Sequence, residues 1–104
     1  MNRIICGLMT LIFAGAFANG AVAADAANGQ ILAKRWCAAC HVVATDQQSA
    51  NGQAAPFSAI GKAPNLDASK LALFLLVPHP KMPDMNLSRA EAADLAAYIV
   101  SQGK

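Results

Sequence analysis

A chain of 104 residues is long enough for one domain and not for two. Apolar residues make up 56% of it, and eight basic residues face six acidic ones, a formal charge of +2. That balance, with no basic stripe along the chain, excludes a nucleic-acid-binding surface.

The beginning reads as an export signal rather than as part of the domain. Arg3 supplies a short positive start, Ile4 to Ala18 is almost wholly apolar, and Asn19-Gly20 breaks the run. Ala21-Val22-Ala23-Ala24 then offers the small residues that signal peptidase needs, with a cut before Ala24 or before Asp25. The expected division is therefore a cleaved signal peptide over 1–24 and a single domain over 25–104. The uncharged run from Ile4 to Ala24 is also just long enough to cross a bilayer. Against a retained anchor stand Asn19-Gly20 and the ending in alanines; Cys6, ahead of the apolar run, is misplaced for a lipoprotein anchor. After cleavage the chain is about half apolar, within the globular range. Seven basic residues remain against six acidic ones, so net charge selects no partner.

The spacing predicts a first helix from Ala26 to about Ala39, with Ile31, Leu32 and Trp36 able to face a core and Lys34 and Arg35 in water. Gly29 inside it costs about 1 kcal/mol relative to alanine, which either close approach of another helix or a frayed first turn explains. Thr45 to Pro56 is polar and reads as a surface loop. Pro56 to Ile60 is apolar again, and Gly61 to Asn65 breaks the chain.

Asp67 can cap a second long helix running to about Leu76, too apolar for a helix with one buried face. Val77-Pro78 ends it. Prolines at 78, 80 and 83 keep the next stretch out of regular structure and make it a stiff loop. Ser88 and Glu91 form a capping box for the last helix, on which Leu95, Tyr98 and Ile99 fall on one face and Gly103 is a stop signal. Glu91 and Asp94 sit towards the end that the helix dipole favours for acids. No strand-like alternation of useful length occurs.

The chemistry lies in Cys37-Ala38-Ala39-Cys40-His41, the C-x-x-C-H signature of covalent haem attachment. Spacing of one helical turn puts both thiols on one side of the backbone, where each can add to a vinyl group of one porphyrin. His41 can then supply the proximal iron ligand. A thioredoxin-like site wants a βαβ context that is missing here. A structural zinc site needs four ligands, and His41 directly after Cys40 is badly placed to join one tetrahedron with it. After cleavage only Cys37 and Cys40 remain of the three cysteines. About 80 residues make a small core, which a macrocycle held by two thioethers would staple.

For the distal iron position the proline loop offers Met82, then Met85, then His79. A methionine is more often core filler than ligand, but filler is less expected in a stiff loop between helices. A thioether opposite histidine raises the haem potential. A five-coordinate iron with an open site would instead point to gas binding or peroxidase-type chemistry.

Gly29, Cys37-x-x-Cys40-His41, Met82-Pro83 and Leu95-x-x-Tyr98-Ile99 together resemble the small class I cytochromes c of bacterial periplasms, across essentially all of the mature chain. The resemblance implies an all-α fold, three to four helices wrapped around one covalently bound haem c per chain. It implies that the first and last helices cross at Gly29 and Tyr98, and that Met82 is the distal ligand. It also implies that a proline carbonyl, best matched by Pro56, accepts from the proximal imidazole. Where many members carry an aromatic residue four positions before the first haem cysteine, this chain has Ala33, and Trp36 or Leu32 is left to fill that volume. The function implied is periplasmic one-electron transfer, Fe(II) to Fe(III) and back, without enzymatic chemistry. The expected partners are redox proteins (a dehydrogenase, an oxidase or another cytochrome), with no nucleic acid and no membrane insertion after cleavage. The chain would be a monomer, either a free carrier or a haem subunit of one dehydrogenase complex. Lys34, Arg35, Lys62 and Lys81 are candidates for bordering the exposed haem edge, or simply solvated charges.

Overall fold

The computed structural model describes residues 23–52, 54–77 and 80–104. The expected signal peptide, apart from its last two residues, lies outside the described residues, as does His79. Four helices follow one another, α1 (Ala26–Trp36), α2 (Phe57–Ile60), α3 (Ala68–Leu76) and α4 (Arg89–Ser101), with no strand among the described residues. The all-α expectation holds. The short α2, which has no helical periodicity to announce it, is an addition to it.

Each longer helix starts on a side-chain cap. Asp25 accepts from the backbone N–H groups of Ala27 and Asn28 at 3.0 and 3.1 Å, and Asp67 from those of Ser69 and Lys70. The capping box on α4 is complete: Ser88 Oγ accepts from Glu91 N–H, and Glu91 Oε1 from Ser88 N–H, both at 3.0 Å. Such caps satisfy amide groups that the helix itself leaves open.

Helix α4 is the spine, touched by α1, α2 and α3. It buries Ala92, Leu95, Ala96, Tyr98 and Ile99, the expected stripe widened by two alanines. Helix α1 meets it through Gly29, Leu32 and Ala33, spaced i, i+3 and i+4. Small residues on both sides bring the backbones together. A methyl group at Gly29 would run into the Asp94 carbonyl and lie 2.7 Å from Tyr98 Cβ. Of the two explanations for Gly29, close approach is the correct one. The expected core positions Ile31 and Trp36 are corrected: Ile31 is 59% exposed and Trp36 is 40% exposed. A face set by glycine and alanine turns both larger side chains away from the crossing.

Asp94 does more than sit favourably in a helix dipole. Its two oxygens accept from Asp25 N–H at 2.7 Å and Asn28 Nδ2 at 2.9 Å, tying α4 to the first turn of α1. Gly103 lies beyond the helix end, which is capped by Gln102 in right-handed geometry. Its lack of a side chain serves contact with Gly61, where a methyl group would lie 2.6 Å from both Gly103 N and the Ile99 carbonyl oxygen.

Helix α3 packs on α4 but buries fully only Leu75, with Leu71, Ala72 and Leu76 partly covered against the core. Leu73 and Phe74 are 65% and 53% exposed. Its apolar composition therefore exceeds what the protein fold covers.

Candidate haem site

Helix α1 ends three residues before the expected Ala39, and the reason is local. Cys37 N–H still reaches the Ala33 carbonyl, but Ala38 N–H reaches the same oxygen, five residues back, and the regular ladder stops. The chain then makes a separate turn, closed by His41 N–H donating to the Cys37 carbonyl at 2.8 Å. This turn carries both thiols and the imidazole out of the helix and onto a cavity wall.

The cavity has a volume of about 590 Å³, and Cys37, Cys40, His41, Met82 and Met85 all line it. Trp36 and Ala55 add apolar surface. Such a volume falls within the range of about 300–1,000 Å³ typical of small-molecule and cofactor sites. Both cysteines are free; Cys37 is buried and Cys40 is at the surface. Burial, and secondarily the neighbouring Cys40, push the Cys37 thiol up to about 11, so it is protonated at neutral pH. Among the described residues no three His, Cys, Asp or Glu side chains converge as a metal-ion site, and the thiols and imidazole are spread along a wall.

His41 Nδ1 lies 2.6 Å from the Ala55 carbonyl oxygen. With Nε2 left for a metal, Nδ1 carries the proton and donates to that oxygen. The acceptor expected from the resemblance, the Pro56 carbonyl, is corrected to its neighbour. The Pro56 carbonyl is used instead inside the first turn of α2, by the N–H groups of Ala59 and Ile60. Phe57 packs between the rings of His41 and Tyr98, at centroid distances of 5.4 and 6.3 Å.

In the loop before α4, Lys81 turns the chain with φ 72°, left-handed geometry uncommon for a lysine. Met82 follows it, half-buried against the core and directly before Pro83. Met85 is 5% exposed and belongs to the buried core itself. Both methionines line the cavity, and His79 is outside the described residues.

One residue at this site escaped the sequence reading. Gln47, placed there in a polar surface loop, holds the attachment turn through four backbone groups. Composition gave no sign of it, because Gln48 beside it has the same side chain and is exposed.

Helices alone among the described elements, with paired thiols, an imidazole and two methionines lining one cavity, fit the class of haem-attachment proteins. The match to known proteins gives the family: residues 26–103 fit the cytochrome c family, and the chain belongs to it. It is 48% identical over 101 residues to the cytochrome c-552 of Bradyrhizobium diazoefficiens, covering 97% of each chain. A comparison with solved structures found no match. The chain is accordingly a small class I c-type cytochrome, an electron carrier and not an enzyme.

Proposed function

We propose that this cytochrome is a periplasmic one-electron carrier whose single haem c is joined to Cys37 and Cys40 and ligated by His41 and Met82. The observation that carries this reading is the meeting of those four side chains around one cavity of about 590 Å³. The residues fit the group. Two thiols lie one turn apart, an imidazole has its far nitrogen engaged by a carbonyl at 2.6 Å, and two thioethers line the same cavity. When bound, the haem iron alternates between Fe(II) and Fe(III), accepting and giving up one electron.

The chain's own residues do the rest. The Ala55 carbonyl fixes the tautomer and direction of the His41 ring. Pro83 and the turn at Lys81 stiffen the approach of Met82. Trp36, Ala55 and the methionines keep much of the wall apolar, which keeps water away and favours the less charged iron. Met82 is preferred over Met85 because the burial of Met85 in the core already accounts for its presence. Export follows from the leader, with cleavage before Ala24 or Asp25; either cut preserves Asp25 as the cap of α1. No described helix is long and apolar enough to cross a membrane. The partners are redox proteins that dock briefly through a small surface, with Lys34, Arg35, Lys62 and Lys81 all exposed to meet them.

The test uses the purified holoprotein and its Met82→Ala and Met85→Ala variants. A low-spin spectrum with a far-red methionine-to-iron band is expected in the wild type and in Met85→Ala, and the band disappears in Met82→Ala. Loss of the band only in Met85→Ala overturns the ligand assignment. A high-spin ferric wild type that binds azide at once overturns the carrier mechanism in favour of an open iron.

A further inference from the structure

The segment from Ala38 to Gly52 contains neither helix nor strand, yet it carries the second haem cysteine and the proximal histidine. A stretch without its own hydrogen-bond ladder must be held by something else. Much of that work falls on one side chain. Gln47 Oε1 accepts from Val43 N–H at 2.9 Å. Its Nε2 lies 2.9 Å from the carbonyl oxygens of both Ala38 and His41, and 3.1 Å from that of Ser49.

The chemistry fixes which way the amide points. Val43 N–H needs an acceptor and the three carbonyls need donors, so only one orientation satisfies all four. Two N–H hydrogens serve three carbonyls, and one is shared. The groups held are not arbitrary: Ala38 lies between the haem cysteines, His41 is the ligand residue, and Val43 gives its own carbonyl to the buried Tyr98 hydroxyl at 2.6 Å. Val43 is thus held by a side chain on each of its backbone polar groups. The attachment turn is pinned through Gln47 on one side and His41 Nδ1 to Ala55 on the other.

We propose that Gln47 is a positioning residue for the proximal ligand, setting the strength of the His41–Ala55 hydrogen bond and through it the reduction potential. The inference rests on the His41 assignment made above. A carbonyl that accepts from a ligating imidazole raises its basicity, and a more basic ligand favours Fe(III). Release of the His41 backbone loosens that bond, lowers the basicity and favours Fe(II).

The experiment compares the holoprotein with Gln47→Glu, Gln47→Met and Asp94→Asn. Gln47→Glu keeps the length and the Val43 bond but presents only oxygens to the carbonyls; Gln47→Met removes all four bonds. Asp94→Asn disturbs the α1–α4 contact instead and controls for general loosening. The wild-type spectrum is recorded first, since a failed ligand assignment shows there before any Gln47 variant is compared. Gln47→Met, which adds no charge, is expected to shift the one-electron equilibrium towards Fe(II) by at least about threefold, about 28 mV on the scale of 59 mV per tenfold. Gln47→Glu adds a negative charge that itself favours Fe(III), so it is read by the His41 ring resonances. The proton resonances of the His41 ring move in both Gln47 variants, while Asp94→Asn changes thermal stability and leaves both readouts in place. Lower melting temperatures in the Gln47 variants, with the potential of Gln47→Met and the ring resonances unmoved, overturn the proposal and leave Gln47 a loop staple. Failure of both Gln47 variants to attach haem, when Asp94→Asn attaches it normally, also overturns the proposal, because it makes Gln47 a requirement for forming the turn rather than a setter of the potential.

Discussion

Where α1 crosses α4, backbone meets backbone, and the contact is complete in the protein alone. Gly29 lies against the Asp94 carbonyl, Ala33, Ala92, Leu95 and Ala96 are fully excluded from solvent, and Asp94 links α4 to the cap of α1. The cavity side is built differently. Its walls are the turn after α1 and the loop from Pro80 to Leu87, which contains no helix or strand, and they enclose space rather than fill it. Interiors pack at near-crystalline density, and this region departs from that with a cavity of about 590 Å³, the one proposed above to take the haem. One region is a frame packed by the chain's own side chains; the other is a set of loops lining a cavity. No residue of α3 lines the cavity, so the apolar surface it leaves exposed at Leu73 and Phe74 belongs to neither region.

The strongest way to break the frame is Gly29→Ala. The added methyl group meets a backbone oxygen, which cannot rotate away as a side chain can, so α1 must move off α4. A loss of about 3 kcal/mol is expected, at the upper end for overpacking. It would be read as a lower urea midpoint in both apoprotein and holoprotein. An unchanged midpoint means that the helices do not cross here.

Tyr98 joins the two regions, since it stands on α4 and its hydroxyl donates to Val43 in the attachment segment. Tyr98→Phe leaves that carbonyl without its donor and should cost about 1–2 kcal/mol, measured by urea unfolding at pH 7. Burial, and to a lesser degree Asp46, raise the Tyr98 phenol above its usual 10. The unfolded tyrosine therefore loses its proton at a lower pH than the folded one. The stability this supplies is whole below about pH 10 and is lost as pH rises through the folded value. Unfolding curves from pH 8 upward should show that alkaline decline in the wild type and a shallower one in Tyr98→Phe. Parallel declines would detach Tyr98 from it.

The frame was largely legible because its determinants are local. Asp67, Ser88 and Glu91 act within three residues of themselves, and the stripe of Leu95, Tyr98 and Ile99 follows helical periodicity. The haem motif was legible for the same reason, being contiguous. What failed to show were contacts whose partners lie far along the chain or differ by one position. Trp36 had the periodicity of a core residue, but small residues at the crossing decided which face turned inward. Ala55 rather than Pro56 faces His41 because α2 begins at Phe57 and uses the proline carbonyl, and nothing in the composition announces a four-residue helix. Gln47 and Gln48 are chemically identical in the sequence, and only the path of the loop separates them. Met82 and Met85 stand three residues apart, and only the fold shows that Met85 is buried in the core while Met82 is half-buried against it.

Asp94 is the mildest test of the comparison, and the most local. On α4 its carboxylate is an ordinary acidic residue, but across the crossing it accepts from Asp25 N–H and Asn28 Nδ2. One of these hydrogen bonds is exposed and the other part-buried, and they contribute about 1 kcal/mol together once water competes for the same groups. Asp94→Ala should therefore lower the urea midpoint by less than Gly29→Ala or Tyr98→Phe. Because the contact belongs to the frame, the reduction potential should stay at the wild-type value while the amides of Asp25 to Asn28 exchange faster with solvent. A shifted potential would mean that strain at the start of α1 reaches its far end at Cys37, and the division between the packed helix crossing and the cavity side would fail.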